Sequence, residues 1–218
     1  FNTTFGSFAR KTKIKPLDDI DIIIGLNGGE LNISGYNWDN MSLKLNNNIK
    51  DNQLIRLSDY TSIYSGERQL NSTKVKNKLI LALKNIPQYE NAIIRGSGSA
   101  VTLKLKSYPW TYDIIPAFYY GGGNGSSPYY LIPNGSGGWL KTNPKLEQER
   151  VSRLNQKYNG IVLKTIRLVK YWNKRGRMPG IESYVLETIV LDYFEKIYNS
   201  NPSKLVDIHF RDVLYYIS

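Results

Sequence analysis

Two aspartates one residue apart, Asp19 and Asp21, stand in the run "DDIDIII". Alternation along Asp19, Ile20, Asp21, Ile22, Ile23 and Ile24 fits a strand, whose side chains point to opposite faces with a period of two. The two carboxylates therefore share a face. Side by side they repel, and Asp is a poor strand former, so the arrangement is costly unless a cation sits between them. A hard divalent ion suits the position, because Mg²⁺ prefers oxygen ligands and takes one or two protein carboxylates, completing its octahedron with water and substrate phosphates. The alternative is an edge strand with a solvated acidic face. Upstream, "GSFAR" begins with Gly6 and Ser7, and Ser7 lies twelve residues before Asp19. A Gly-Ser turn offers backbone N–H groups unobstructed by side chains, plus a hydroxyl, and such a concavity can hold a phosphate. Phosphate and metal then belong to one ligand.

A third carboxylate, Asp113, lies in the apolar and aromatic run "TYDIIPAF". It is either a polar residue on the wet face of a sheet or, beside Asp19 and Asp21, a third metal ligand. Further on, residues 160 to 175 place Val162, Ile166, Leu168, Val169 and Trp172 on one side of a helical wheel and Lys164, Arg167, Lys170 and Lys174 on the other. That basic face is a solvated surface or an anion site. Ser183 and Tyr184 open the next helical run, "SYVLETIVLDYFEKIY", where Ser183 could also be an N-cap. Asn143 or Thr142 can cap a helix whose first residue is Pro144. His209, the single histidine, has no Cys or carboxylate cluster near it in sequence and reads as structural. No P-loop pattern occurs.

These residues need elements to position them. At 218 residues the chain can bury a core in one domain or two small lobes. Its 29 Lys and Arg against 18 Asp and Glu give +11, which suits a polyanionic ligand: nucleotide, nucleic acid or acidic membrane. With no cysteine there are neither disulfides nor thiolate metal sites. No apolar run is long enough for a span and no signal-like start occurs, so the expectation is a soluble, cytoplasmic protein with no membrane partner. Phe1 stands only five residues before Gly6, so the chain reads as a fragment lacking whatever precedes the turn. Residues 36 to 73, rich in Asn, Ser and Tyr, read as an irregular insertion with one strand. Residues 72 to 85 read as a surface helix behind a Ser or Asn cap, with Val75, Leu79, Ala82 and Leu83 inward. "AVTLKLK" and "TYDIIPAF" read as strands, the Gly-rich stretch 121 to 138 as a hairpin, and residues 203 to 218 as a last helix.

"GSFAR" with the acidic pair resembles the signature of polymerase-beta-type nucleotidyltransferases. "YDIIPAF", "YLIPNGSGGWLKTNP", "IRLVKYW" and "ESYVLE" together resemble the cyclic GMP-AMP synthase and DncV-like nucleotidyltransferases of bacteria, relatives of the oligoadenylate synthetases. The resemblance implies an α/β fold: a mixed twisted sheet bearing Asp19, Asp21 and Asp113 over residues 1–141, and a helical lobe over 142–218. It implies two Mg²⁺ ions, or Mn²⁺ in their place, held by those three aspartates as catalytic residues. It further implies nucleoside triphosphate substrates gripped by Gly6, Ser7, Lys170 and Ser183, with Tyr184 stacked on the base and Asn143 a candidate substrate contact. The implied product is a cyclic or short linear oligonucleotide messenger used in anti-phage signalling and read by a downstream effector, with an activating ligand on a basic surface. A transferase that modifies RNA or protein would share the triad, and a non-catalytic nucleic-acid-binding module would share only the charge.

Overall fold

The structure is a computed structural model that describes residues 2–16, 18–28, 31–45, 56–121, 127–175, 180–197 and 203–217, without the side chains of Tyr36 and Asn37. The chain divides into two compact units, one made of residues 1–5 and Asp18–Asn143, the other of Gly6–Leu17 and Pro144–Ser218. The Gly-Ser segment belongs to the second unit, with the helices.

The sheet unit begins with β1 (Asn2–Phe5), β2 (Asp19–Leu26), β3 (Leu31–Asn37) and β4 (Asn40–Leu45). A 3₁₀ turn at Ser58–Tyr60 precedes β5 (Thr61–Tyr64) and β6 (Glu67–Leu70). Most of the stretch expected to be irregular is therefore sheet, apart from residues 46–55, which lie outside the described residues. Its Asn and Ser content hid strands in which Met41, Leu43, Leu45 and Leu70 supply the inward side chains. Helix α2 (Ser72–Lys84) is capped by Asn71, whose side chain accepts from the Lys74 amide at 3.1 Å. It buries Val75 and Leu83 as expected and Lys76 in addition. Strands β7 (Ile93–Ser97), β8 (Ala100–Lys104), β9 (Thr111–Tyr120), β10 (Tyr129–Pro133) and β11 (Trp139–Thr142) complete the unit. The last two form the expected hairpin, and residues 122–126 of the Gly-rich stretch lie outside the described residues.

Strand order is β1-β2-β9-β10-β11-β4-β6-β5, with β3 beside β4, β7 beside β8 and β8 beside β9. β2 and β9 run parallel over eight residue pairs, Asp19 opposite Thr111 through Leu26 opposite Phe118. The other edge of β9 is shared: its first half pairs with β8 and its last residues with β10. Pro116 falls where the partner changes, a place that a residue without an N–H can occupy inside a sheet. Ile23, Ala100, Ile115, Ala117 and Ile132 pack one face, and Val101, Leu103, Ile114 and Leu83 pack the other beneath α2. A third cluster centres on Trp139, which is fully buried, meets Phe118 edge-on at 5.1 Å and donates its indole N–H to the Leu70 carbonyl at 2.9 Å.

The helical unit comprises a single turn, α1 (Gly6–Ala9), then α3 (Pro144–Lys157), α4 (Ile161–Arg175), α5 (Ser183–Lys196) and α6 (Val206–Ile217). Its core gathers Val151, Leu154, Val162, Ile166, Val169, Leu186, Val190, Phe194 and Val213. Arg150 and Arg153 of α3 bind Glu195 of α5, at 2.7 and 2.8 Å. His209 is buried, its ring nitrogens meeting the Tyr193 hydroxyl at 3.0 Å and the Ser203 carbonyl at 2.8 Å, which accounts for it structurally.

Because Trp139 both fills the third cluster and satisfies the Leu70 carbonyl, Trp139→Ala should cost about 3–5 kcal/mol in urea unfolding. Trp139→Phe, which keeps most of the packing and loses the hydrogen bond, should cost about 1–3 kcal/mol.

Candidate functional site

The predicted acids sit together on the sheet. The parallel register sets Asp21 directly beside Asp113 on neighbouring strands, a backbone separation of about 4.8 Å, and places both on the same face. Asp19 shares that face two residues earlier, about 6.6 Å along β2. Across the other edge of β9 the partner of Asp113 is Thr102, whose hydroxyl donates to Asp113 Oδ1 at 2.6 Å. That bond orients one carboxylate oxygen. The apolar floor beyond the acids on this face is Ile23, Ile115 and Ala117.

Among the described residues no three His, Cys, Asp or Glu side chains close into a ready metal cage. The donor set nonetheless fits Mg²⁺ or Mn²⁺, since these ions are satisfied by one or two protein carboxylates with phosphate and water oxygens supplying the rest. Asp21 and Asp113 form such a pair, with Asp19 within reach along the strand.

In the helical unit, Gly6 has φ +72°, the left-handed region that favours glycine, and opens the turn. The chain then folds back on Ser7. Its carbonyl accepts from the Thr12 amide at 2.9 Å, the Lys13 amide at 3.1 Å and the Thr12 hydroxyl at 3.3 Å. The cations of α4 follow this loop. Arg167 donates to the Lys11 carbonyl at 2.6 and 3.0 Å, Lys170 to the Thr12 carbonyl at 3.1 Å, and Lys174 to the Lys15 carbonyl at 3.4 Å. Residues three and four apart on a helix lie on one stripe, so the basic stripe reads out successive loop carbonyls.

The expected basic face is exposed at Lys164, Arg167 and Lys174 but not at Lys170. Lys170 is 5% exposed and is bound both by Thr12 and by Glu187 Oε1 at 2.8 Å. It therefore does not stand as an open cation. Trp172, placed on the apolar side in the sequence reading, is instead exposed, and the buried stripe runs through Ile161, Val162, Thr165, Ile166, Val169 and Lys170. Ser183 is the first residue of α5 and exposed, but Glu182 holds the N-cap position, so capping does not explain Ser183. Tyr184 is about half exposed, donates to Glu147 Oε1 at 3.3 Å and lies under the Arg10 guanidinium at 5.5 Å. Asn143 donates to the Pro128 carbonyl at 2.5 Å in the sheet unit.

Arg10, Glu147 and Glu187, which the sequence reading did not single out, link Lys170 and Tyr184 within the helical unit. Arg10 donates to Glu187 Oε2 at 3.0 Å and to Glu147 Oε2 at 3.1 Å. Glu187 thus holds Arg10 with one oxygen and Lys170 with the other. A legible signal existed: Glu187 falls among Leu186, Val190, Leu191 and Phe194, and a carboxylate in an apolar stripe requires a partner. Burial pushes the Glu187 carboxyl up, but Arg10 and Lys170 outweigh it and leave it below the ordinary value. Burial leaves Glu147 above the ordinary value, against the pull of Arg10 and the Tyr184 hydrogen bond.

A carboxyl whose folded value is lowered contributes stability above its unfolded value of 4.5 and loses it as the pH falls through the folded value. Glu187→Gln, which strands two buried cations, should therefore cost about 3–5 kcal/mol at pH 7. The gap to wild type should narrow below pH 4.5, as wild-type Glu187 takes up its proton; urea melts at pH 7 and below pH 4 check this.

Comparison with known proteins adds to the geometry. No family model matches the chain. Over 201 residues, 92% of its length, it is 40% identical to a probable cyclic nucleotide synthase of Bacillus cereus strain VD146. It spans 57% of that relative. The structure of CdnC from E. coli MS115-1, solved with ATP, superposes with a TM-score of 0.60 at 17% identity over 99% of this chain and 56% of that one. The α/β architecture is thus that of CdnC. Carrying the acidic pair on β2, the neighbouring Asp113 and the Gly-Ser turn, the chain is a homologue of a probable cyclic nucleotide synthase and shares the fold of CdnC.

Proposed function

We propose that the protein containing this chain joins nucleoside triphosphates into a cyclic or short linear oligonucleotide. The observation that carries the reading is the register of β2 with β9, which sets Asp21 beside Asp113 with Asp19 on the same face, in a chain 40% identical to a probable cyclic nucleotide synthase. Asp19, Asp21 and Asp113 hold the divalent ions. Bound Mg²⁺ supplies charge neutralisation at the triphosphate and lowers the pKa of an acceptor hydroxyl. Gly6 and Ser7 grip the triphosphate and Ser183 adds a hydroxyl donor. The Tyr184 ring stacks on a base, for which it must exchange its contact with Glu147. Such stacking contributes about 1–3 kcal/mol per base. Asn143 follows β11, with its amide on the Pro128 carbonyl, and serves as a candidate contact. Lys170, bound by Glu187 and Thr12, acts through the loop it holds rather than as an open phosphate ligand.

The acceptor in this reading is a nucleotide hydroxyl, and the product is a second messenger of the anti-phage kind, sensed by a separate effector. An activating ligand finds its place on the exposed lysines of α2, Lys78 and Lys84. Among the described residues no helix is long and apolar enough to cross a membrane.

The test uses the full-length protein with Mg²⁺ and four labelled NTPs, followed by phosphatase. A small labelled product with protected phosphates is expected, and Asp21→Asn or Asp113→Asn should lower its yield by at least about 10³-fold while the protein stays folded, since removing a charge from adjoining carboxylates relieves repulsion. Label found only on added tRNA or on protein would replace this reading with the RNA- or protein-modifying transferase.

A further inference from the structure

We propose that Glu187 is a positioning residue for the Gly6–Ser7 turn, fixing both ends of the loop that shapes it. The inference rests on the reading of that turn as the triphosphate grip, and concerns a residue to which that reading gives no nucleotide contact.

The turn's shape depends on Thr12. Three of the hydrogen bonds that close it converge on the Ser7 carbonyl, two of them from Thr12, and Thr12 is fully buried. Thr12 is in turn held from outside the loop by Lys170, whose ammonium meets its carbonyl at 3.1 Å. The near end of the loop is held at Arg10, three residues past Ser7, through its guanidinium. One carboxylate secures both attachments: Glu187 Oε1 takes Lys170 at 2.8 Å and Oε2 takes Arg10 at 3.0 Å. Each oxygen has its own cation. Glu187 is 2% exposed, so its charge is not screened by water, and moving either cation leaves charge unpaired in a dry setting. Such a cluster has few alternative arrangements, and that rigidity is what a turn offering backbone N–H groups to a triphosphate requires.

The geometry also separates this role from general support of the helical core. The Glu195 pairs with Arg150 and Arg153 start from the same helix and cross to α3, whereas the Glu187 pairs run to Arg10 and to the Lys170 that holds Thr12. Glu195→Gln is therefore a matched control. Both clusters join helices; only one reaches the turn.

The experiment uses the full-length protein as Glu187→Gln, Glu187→Asp and Glu195→Gln. Amide hydrogen exchange over residues 6–13 is read without nucleotide, and binding of inorganic tripolyphosphate with Mg²⁺ is read by calorimetry, a probe that needs no knowledge of the base. Glu187→Gln should speed exchange across 6–13 and weaken tripolyphosphate each by at least about ten-fold. Glu187→Asp, which keeps the charge, should fall between it and wild type, and Glu195→Gln should change neither. If Glu187→Gln does not fold, Arg10→Lys carries the same expectation, because a single ammonium cannot bridge Glu187 and Glu147 as the guanidinium does. Unchanged exchange over 6–13, or acceleration there no greater than the loss of global stability measured in urea accounts for, overturns the proposal. Faster exchange with undiminished tripolyphosphate binding overturns it too. Wild-type protein that binds no tripolyphosphate would remove the nucleotide reading, and exchange over 6–13 would still decide whether Glu187 sets the turn.

Discussion

The parallel pairing of β2 with β9 decides whether three aspartates form a site or three unrelated surface charges. Side chains alternate with a period of two, so a slip of one residue would carry Asp113 to the opposite face and leave Asp21 beside an apolar neighbour. What prevents the slip is the apolar set that travels with the acids. Ile23 and Ile115 go to one core, and Ile24 and Ile114 to the other. A shifted register would expose both sets. The cost of holding carboxylates side by side is thus borne by hydrophobic burial farther along the same two strands, and Thr102 orients Asp113 from the strand on its other side.

Charge in the helical unit serves a different purpose from the one the net value of +11 suggests. Arg167, Lys170 and Lys174 are bound to backbone carbonyls of the 11–15 segment, and Arg10 to two glutamates. In the sheet unit Lys74 and Lys76 similarly donate to the carbonyls of Thr61 and Gly98, each at 2.6 Å, and Lys141 lies over the rings of Trp38 and Tyr129. Loops that lack strand or helix partners need donors for their carbonyls. Long basic side chains provide them at these five carbonyls, and the other Lys and Arg are left to pair with carboxylates, cover rings or attract polyanions.

The sequence made the sheet acids and the helices legible because both depend on local periodicity. The D-x-D alternation gave β2, and "TYDIIPAF" gave β9; helices α2, α4, α5 and α6 began within a few residues of the expected positions. The pairing of β2 with β9 was not legible from spacing, since register depends on contacts 92 residues apart in the chain. The resemblance of the motifs supplied only the grouping of the three aspartates. Strands β3 and β4 were obscured because the polar Asn32, Ser34, Asn40 and Ser42 alternate there with Leu31, Ile33, Met41 and Leu43, and β5 and β6 because four residues each are too short to show a period. Lys170 misled for a physical reason: lysine on a helical wheel reads as solvent-facing, and its burial follows only once Glu187 is seen to point into the same interior. Binary patterning registers residue type, whereas pairing between segments 17 residues apart is tertiary.

The account turns on Asp21 and Asp113 acting as one ligand set for a divalent ion brought with a nucleoside triphosphate. Electron paramagnetic resonance of Mn²⁺, titrated into full-length protein in the presence of ATP, tests this without relying on turnover. The expected result is tight Mn²⁺ uptake by wild type, with Asp21→Asn and Asp113→Asn each weakened by about 10–100-fold and the double variant little worse than either, since residues that share a ligand are not additive. Uptake equal to wild type in both single variants would contradict the account and leave the acidic face of β2 and β9 without a metal-binding role.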